Sequence, residues 1–326
     1  MKSAFIHFIL LLAVYSCSVP EKAQERSTSD LTNWNNTPIK QEIISFVDKV
    51  TDKTSADFVP IVDRIAVFDN DGTLWNEKPL YIPMEYEIAY LQEAVKSHPE
   101  MLNNKLYKGI SEGNLAIMKE YSTFDLINQL FAAHDQQLEK DYYESVYTFL
   151  SEENHPKFNR PFKEMVYQPM VELVHYLQAN DFKVFIVTGG EITFVRTVSE
   201  EIYNIPTENV VGSNIQLHYV SDSSGQRLIR SNKVVSANDK HIKPANIGLH
   251  IGKKPIFAAG NSDGDYEMME YTLSGDGPSM AILVHHDDEA REYKYMHGTE
   301  RAVEEAPQKG WQVISMKTDF KQIFPN

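Results

Sequence analysis

Cysteine and basic residues are scarce in this chain of 326 residues. Cys17 is the only cysteine, so the chain cannot form an intramolecular disulfide and its fold must depend on a hydrophobic core. Lys and Arg number 31 against 46 Asp and Glu, which gives a formal net charge of −15. Because polyanions are bound by basic tracts and no extended run of Lys or Arg is present, we expect no nucleic-acid partner.

The chain also has little that could cross a membrane. The uncharged stretch at residues 4–15 follows Lys2 and is shorter than the roughly 20 residues of a membrane span, but it is typical of a signal-peptide core. It ends at Val14-Tyr15-Ser16-Cys17, which resembles the lipobox of bacterial lipoproteins. The resemblance implies a signal peptide at residues 1–16, lipidation of Cys17 and a polar tether at residues 17–34.

An exported bacterial protein of the periplasm or cell envelope would follow, with membrane contact only through its lipid anchor. Ordinary secretory cleavage nearby and an uncleaved anchor remain as alternatives. The sequence does not predict an oligomeric state.

Short apolar runs alternate with stretches of helical periodicity through the rest of the chain. Most of the runs are bounded by Gly, Asp or Asn, as expected for strands buried on both faces of a parallel sheet. The alternation predicts an α/β fold with a doubly wound sheet. The predicted strands are residues 65–68, 183–187, 209–211, 256–259, 281–284 and 313–316, and the clearest helices are 38–52, 170–178 and 192–203. Residues 213–230 carry a hairpin signal around Asp222-Ser223-Ser224-Gly225.

One connection is far longer than a crossover requires. Over a hundred residues separate the first predicted strand from the second, and residues 78–164 are rich in Tyr, Glu, Leu and Met at helical spacing. A disordered loop fits poorly with so many aromatic residues. We therefore predict a helical cap at residues 78–164, inserted into a core formed by residues 35–77 and 165–326.

The most informative segment follows the first predicted strand. The apolar run at residues 65–68 stops at Asp69-Asn70-Asp71-Gly72-Thr73, so two carboxylates stand just beyond the end of a buried strand. In open α/β sheets, ligands bind at that edge. Paired carboxylates there can hold a hard cation and divide the nucleophile and proton-transfer roles, although Asp, Asn and Gly also favour plain turns.

Three further segments carry polar chemistry at predicted strand ends or near them. Val187-Thr188-Gly189-Gly190 precedes a helix, an arrangement typical of anion binding by free backbone N–H groups. Lys240-His241-Ile242-Lys243-Pro244 is a small basic island in which either Lys could neutralise a phosphate, and Lys243 is favoured. Residues 258–265, Ala-Ala-Gly-Asn-Ser-Asp-Gly-Asp, form another oxygen-rich loop.

These four segments, in this order and with an insertion after the first, resemble the haloacid-dehalogenase-like superfamily of phosphohydrolases. The pattern is most similar to the phosphoserine-phosphatase-like branch with a helical cap, and it covers residues 61–316. The resemblance implies a Rossmann-like core, Mg²⁺ as cofactor and a small phosphorylated metabolite as substrate.

The resemblance also implies a role for each site residue. Asp69 would be the nucleophile that forms an aspartyl-phosphate, and Asp71 the general acid and base. Thr188, Gly189 and Lys243 would bind phosphate. The metal would be held by Asp69, the backbone carbonyl of Asp71, Asn261 and Asp265, with Asp263 as a less favoured ligand; relatives often carry Asp where this chain has Asn261.

The predicted function is hydrolysis of small phosphate monoesters. A phosphomutase of the same superfamily and a non-catalytic surface-binding lipoprotein are the alternatives. The substrate stays open among phosphoserine, phosphocholine and sugar phosphates. We expect Trp75 and the cap aromatics to serve in packing, and His286, in the stretch His285-His286-Asp287-Asp288, to lie at the surface.

Overall fold

The computed structural model describes residues 31–326, with the side chains of Thr123 and Phe124 left aside. The predicted signal peptide, Cys17 and the tether up to residue 30 lie outside the described residues. The tether was predicted to end at Trp34, but Leu31 and Trp34 are buried, and the Trp34 ring packs edge-on against Phe320 at 5.2 Å. Residues 31–34 therefore belong to the packed body, because both apolar side chains gain more from the core than from solvent.

A single seven-stranded sheet forms the centre of the fold, in the order β4-β3-β2-β1-β5-β6-β7. All neighbouring strands are parallel except β3 and β4, which form the predicted antiparallel hairpin. The strands are β1 Ile65–Phe68, β2 Lys183–Glu191, β3 Val210–Asp222, β4 Gly225–Ser236, β5 Phe257–Gly260, β6 Met280–His285 and β7 Gln312–Ser315.

Helices cover both faces of this sheet. The helices are α1 Pro38–Thr51, α2 Ile82–Ser97, α3 Lys105–Ser111, α4 Thr123–Ala132, α5 Glu139–Glu152, α6 Gln168–Ala179, α7 Ile192–Tyr203, α8 Ile242–Asn246, α9 Tyr266–Leu273, α10 Glu300–Lys309 and α11 Met316–Asp319. Along β1, Ala66 and Phe68 join the core cluster that includes α1, α6 and α7, whereas Ile65 and Val67 join the cluster with α9 and α10. This alternation confirms the doubly wound α/β fold.

Helices α2 to α5 lie between β1 and β2, in the segment predicted to be a cap. Part of this segment has a hydrophobic cluster of its own, which includes Leu91, Leu106, Ile110 and Leu130. Tyr86, Tyr142 and the apolar side of α5 instead join the main core. The cap is therefore anchored on the sheet domain at its base and has a separate core only at its far end.

The β3–β4 hairpin extends the sheet towards the cap, which the sequence did not predict. Backbone N–H groups of Gln136 and Arg230 bond across to Arg230 and Gln137 carbonyls at 3.0 and 2.8 Å. The buried Arg230 guanidinium contacts Glu139 of α5 at 2.7 Å and Glu191 at 3.4 Å. The hairpin thus ties the cap to the core through a buried cation. Among residues 31–326, no helix combines the length and apolarity that a membrane span requires.

Candidate active site

The loop after β1 is a tight turn over residues 69–75. The Asn70 carbonyl accepts from the N–H groups of Thr73, Leu74 and Trp75, and Gly72 N–H donates to the Trp75 carbonyl at 2.8 Å. Gly72 has φ +75, and a Cβ there would lie 2.0 Å from Asn261 Nδ2. Only glycine therefore allows this loop to approach the loop after β5 so closely.

Lys243 connects two of the predicted segments. Its ammonium donates to Asp69 Oδ1 and to Asp265 Oδ1, each at 2.6 Å, and all three side chains are buried. Lys240, the alternative, is exposed and lies in a left-handed backbone conformation. The structure therefore places Lys243, and not Lys240, beside Asp69.

Electrostatics at this cluster depend on burial. Burial first, and then the charge of Asp265, raise the pKa of Asp69 well above its ordinary value, against the lowering effect of Lys243. Burial alone would lower the pKa of Lys243, but Asp265 and Asp69 together raise it. Lys243 thus keeps its proton and supplies the positive charge beside the Asp69 carboxylate.

Asp71 is held in a different way. The indole Nε1 of Trp75 donates to Asp71 Oδ1 at 2.8 Å, so the buried Trp75 does more than the predicted packing. Burial raises the pKa of Asp71 to about 7; the Trp75 hydrogen bond lowers it, and the charge of Glu77 raises it. A carboxyl group with that pKa can give and take a proton near neutral pH.

The Val-Thr-Gly-Gly segment approaches Asp71 through Gly190. A Cβ on Gly190 would lie 3.3 Å from Thr188 Oγ1 and 3.5 Å from Asp71 Oδ2. Thr188 is buried, and its hydroxyl accepts from Gly190 N–H at 2.9 Å, while Gly189 borders the cavity above Asp69. One N–H group at the predicted helix N-terminus is already bonded, because Glu191 caps α7 by accepting from Phe194 N–H at 2.8 Å.

Asn261 and Asp69 both lie near Thr73, and Asp265 contacts Lys243. Thr73 Oγ1 lies 3.5 Å from Asp69 Oδ2 and 3.4 Å from Asn261 Oδ1, so these two oxygens face one hydroxyl. Asp265 Oδ2 accepts from the backbone N–H groups of Asn261 and Ser262. Asp263 turns away, because its Oδ1 accepts from Ala302 N–H of α10 at 2.8 Å.

A buried network that was not predicted from the sequence supports the loop after β1 from behind. His286 is 1 % exposed, contrary to the predicted surface position, and its Nε2 donates to the Gly72 carbonyl at 2.8 Å. Its Nδ1 faces Glu292 Oε2 at 3.4 Å, and Glu292 also bonds Asn76 and Tyr167. A histidine after a strand gives no signal of this, because the partner Gly72 is distant in sequence.

Asn238 is a second buried polar side chain that supports the site, and it links β2 and β3 to α8. Its amide Nδ2 donates to the carbonyls of Thr188 and Val211 at 3.0 and 3.2 Å, and its Oδ1 accepts from Asn246 of α8. Because α8 carries Lys243, this buried amide fixes the lysine relative to the ends of β2 and β3.

A cavity of about 240 Å³ lies above these side chains. Asp69, Asp71 and Lys243 form its floor, and Met84, Ile127, Leu130, Phe131 and Tyr142 of the cap form much of its upper wall. The structure therefore brings Asp69, Asp71, Gly189 and Lys243 together at one cavity, with Thr188, Asn261 and Asp265 directly behind them. The arrangement can hold a small anion against a carboxylate nucleophile.

Comparison with known proteins agrees with this geometry. Among solved structures, a protein of unknown function from Anaerococcus prevotii DSM 20548 aligns with TM-score 0.56 and 14 % identity over 87 % of this chain and 92 % of that one. A protein of unknown function from Bordetella pertussis Tohama I aligns with TM-score 0.50 and 13 % identity, over 77 % of this chain and 97 % of that one. At these identities the likeness shows the fold alone.

A phosphoserine phosphohydrolase-like protein from Francisella tularensis subsp. tularensis SCHU S4 aligns more weakly, with TM-score 0.39 and 20 % identity over 69 % of this chain and 89 % of that one. No curated protein matches the chain. The family model for haloacid dehalogenase-like hydrolases matches residues 66–270, which hold all four polar segments. The chain belongs to the haloacid dehalogenase-like hydrolase family.

Proposed function

We propose that this protein is a Mg²⁺-dependent phosphatase that hydrolyses small phosphate monoesters through an aspartyl-phosphate. The observation that carries the proposal is the Lys243 ammonium between Asp69 and Asp265, at 2.6 Å from each, at the floor of a cavity. A buried cation in that position offsets the repulsion between a carboxylate nucleophile and a phosphate dianion.

The oxygen atoms around Asp69 fit Mg²⁺. Asp69 Oδ2 and Asn261 Oδ1 face the same Thr73 hydroxyl, at 3.5 and 3.4 Å, so a carboxylate oxygen and an amide oxygen border one small space. Within residues 31–326, no group of three or more His, Cys, Asp or Glu side chains forms a metal cage. Mg²⁺ needs no such cage, since it keeps several waters and binds through one or two carboxylates.

Asp69, Asn261 and the backbone carbonyl of Asp71 would hold the ion, which would neutralise charge on the phosphate. Oδ1 of Asp265 contacts Lys243, and its Oδ2 accepts hydrogen bonds from backbone N–H groups of its own loop. Its contribution to metal binding stays a prediction, and its observed contacts are those of a residue that orients Lys243.

The chain's own residues account for both half-reactions. In the first, an Asp69 oxygen bonds to phosphorus while the bond from phosphorus to the leaving oxygen breaks, and Asp71 gives that oxygen its proton. In the second, Asp71 takes a proton from water as the water oxygen bonds to phosphorus and the bond to Asp69 breaks. Asp71 suits both steps because burial raises its pKa to about 7.

The test is release of inorganic phosphate from a generic aryl phosphate by the purified protein. We expect turnover with Mg²⁺, loss of turnover with EDTA and recovery when Mg²⁺ is restored in excess. Asp69→Asn keeps the side-chain shape and should lower kcat at least about a thousandfold, because the nucleophile is gone. Asp263→Asn is the matched control, since Asp263 bonds α10 and not the site.

Other results would contradict the proposal in separate ways. Activity of Asp69→Asn close to that of the unchanged protein would remove the nucleophile assignment. Activity that is unchanged by EDTA would contradict the proposed dependence on Mg²⁺. Transfer of the phosphoryl group to a second hydroxyl of the product, with no inorganic phosphate released, would identify a phosphomutase.

A further inference from the structure

The upper part of the cavity differs sharply from its floor. We define the cap end as Met84, Glu87, Ile127, Leu130, Phe131 and Tyr142, which all border the cavity. Most of these side chains are apolar or aromatic, so they offer few hydrogen bonds to a leaving group with several hydroxyls. A polyhydroxylated leaving group such as a sugar would lose bonds to water there without replacing them.

Acidic side chains outnumber cationic ones among the residues that line the cavity, although Glu191 contacts Arg230 at 3.4 Å and Glu77 lies 3.6 Å from Lys78, both outside the lining. Of the described residues that line it, Lys243 alone carries a cationic side chain, and its ammonium is committed to Asp69 and Asp265. The acidic lining residues are Asp69, Asp71, Glu77, Glu87, Glu191 and Asp239. Lys243 and a metal would compensate one phosphate, but the lining offers no cation for a second anionic group on the substrate. A carboxylate on the leaving group would therefore be repelled.

Glu87 places one of these carboxylates in the cap end. It is 5 % exposed, and His134 Nε2 lies 3.1 and 3.0 Å from its two oxygens. The second ring nitrogen of His134 contacts Gln137 Oε1 at 2.8 Å, which fixes the imidazole and so the carboxylate. Glu87 thus places a carboxylate, paired with His134, on the part of the cavity wall that the cap contributes.

Two of the aromatic rings that border the cavity pack against cationic side chains of the protein itself. The Arg230 guanidinium lies 3.6 Å from the centroid of the Tyr142 ring, and Lys78 Nζ lies 5.6 Å from that of Tyr81, another lining residue. Phe131 adds a further ring to the lining of the cavity. Aromatic faces combined with a carboxylate are the usual surroundings of bound alkylammonium groups.

We propose that the substrate's leaving group is a compact alkylammonium alcohol without a carboxylate, so that the enzyme acts on aminoalkyl or quaternary-ammonium alkyl phosphates. The phosphate lies on the floor, and the cationic group lies in the cap end between Glu87 and the aromatic rings. This inference rests on the proposed phosphatase function and adds its substrate class. It separates this chain from a phosphatase that needs a carboxylate on its substrate, such as one specific for phosphoserine.

A pair of esters that differ only in charge tests the proposal. Choline phosphate and 3,3-dimethylbutyl phosphate have the same shape, with a cationic nitrogen in one and a neutral carbon in the other. We expect kcat/KM to be about tenfold or more higher for choline phosphate, as a cation–π and carboxylate contact would give. We also expect 2-aminoethyl phosphate to exceed O-phospho-L-serine, which differs from it by one carboxylate.

A substitution at the cap end connects that preference to Glu87. Glu87→Gln keeps the hydrogen bond from His134 but removes the charge, so the ratio of kcat/KM between the choline and dimethylbutyl esters should fall about tenfold. Glu93→Gln is the matched control on the same helix, because Glu93 is exposed and pairs only with Lys96, and it should keep the ratio. Calorimetric binding of both esters to Asp69→Asn gives the same comparison without turnover.

The possible failures are distinguishable. Equal kcat/KM for the two isosteric esters, a preference for the neutral one, or a preference for O-phospho-L-serine would overturn the substrate class while leaving the phosphatase function intact. If Glu87→Gln leaves the ratio of kcat/KM unchanged, Glu87 does not recognise the cationic group. Absence of phosphate release from all four esters and from an aryl phosphate would overturn the proposed function itself.

Discussion

The floor of the cavity is formed by charged side chains, whereas its cap end is mostly apolar and aromatic. Asp69, Lys243 and Asp265 on or beneath the floor make charged contacts at 2.6 Å that leave each side chain one productive orientation. The cap end gathers single apolar and aromatic side chains from α2, α4 and α5. The floor is suited to one reaction, and the cap end to choosing among leaving groups of similar size.

This difference predicts that substitutions on the floor lower kcat, whereas substitutions at the cap end change KM. Contacts made only when charge develops at phosphorus appear in kcat, and contacts made equally with bound substrate and transition state appear in KM. The predictions below test this division, beginning with the largest effect.

Removing the cation at the floor of the cavity should have the largest effect. In Lys243→Met we expect kcat to fall about a thousandfold, because the charge opposite the phosphate is lost. The free energy of unfolding should fall by roughly 3 kcal/mol, since two buried carboxylates lose their shared partner. Both are measurable, by phosphate release and by urea denaturation.

The matched control for Lys243→Met is Lys240→Met, three residues earlier and exposed. It should change neither quantity. A large loss of kcat in Lys240→Met, or a Lys243→Met protein of ordinary activity, would contradict the placement of the phosphate beside Lys243.

Removing a contact that supports the floor from behind should have an intermediate effect. His286→Leu removes the donor to the Gly72 carbonyl, which lies 2.8 Å from Nε2, and leaves that carbonyl buried without this partner. We expect kcat to fall about tenfold with KM little changed, and the free energy of unfolding to fall by about 2 kcal/mol. Steady-state kinetics and thermal denaturation measure the two effects.

The conservative variant separates positioning from packing. His286→Gln can present an amide N–H near the place of Nε2, so it should recover most of kcat even where stability stays reduced. Equal kcat in His286→Leu and His286→Gln would mean that the contact with Gly72 does not position the loop.

The two regions also differ in how far the sequence predicts them. Strand ends in a parallel sheet share one edge, so Asp69, Asp71 and the Asn-Ser-Asp-Gly-Asp loop could be placed together from short runs and turn residues alone. The choice between Lys240 and Lys243 could not be made that way. Lys243 lies on the short helix α8 and Lys240 precedes it, and the position of α8 is decided by contacts such as Asn246 with Asn238.

The side chains of the cap end could not be assigned to the cavity from the sequence, for a further reason. Tyr142 and Phe131 follow ordinary helical spacing, and nothing local distinguishes a ring that borders a cavity from one that fills a core. His286 and Arg230 were missed likewise, because their partners Gly72 and Glu139 lie 214 and 91 residues away in sequence. Polar side chains buried by tertiary contacts carry no periodic signal, whereas strand-end motifs do.

The smallest predicted effect lies at the cap end and tests the division most directly. Phe131 borders the cavity from α4, so Phe131→Ala removes ring contact from the leaving group without touching the floor. We expect KM for choline phosphate to rise about fivefold while kcat changes less than about twofold, because the ring binds substrate and transition state alike. Leu102→Ala, at an exposed cap position, is the control and should leave both constants unchanged. A fall in kcat as large as the rise in KM would mean that the cap wall also orients the reacting phosphate, and the separation between a reactive floor and a selective cap end would no longer hold.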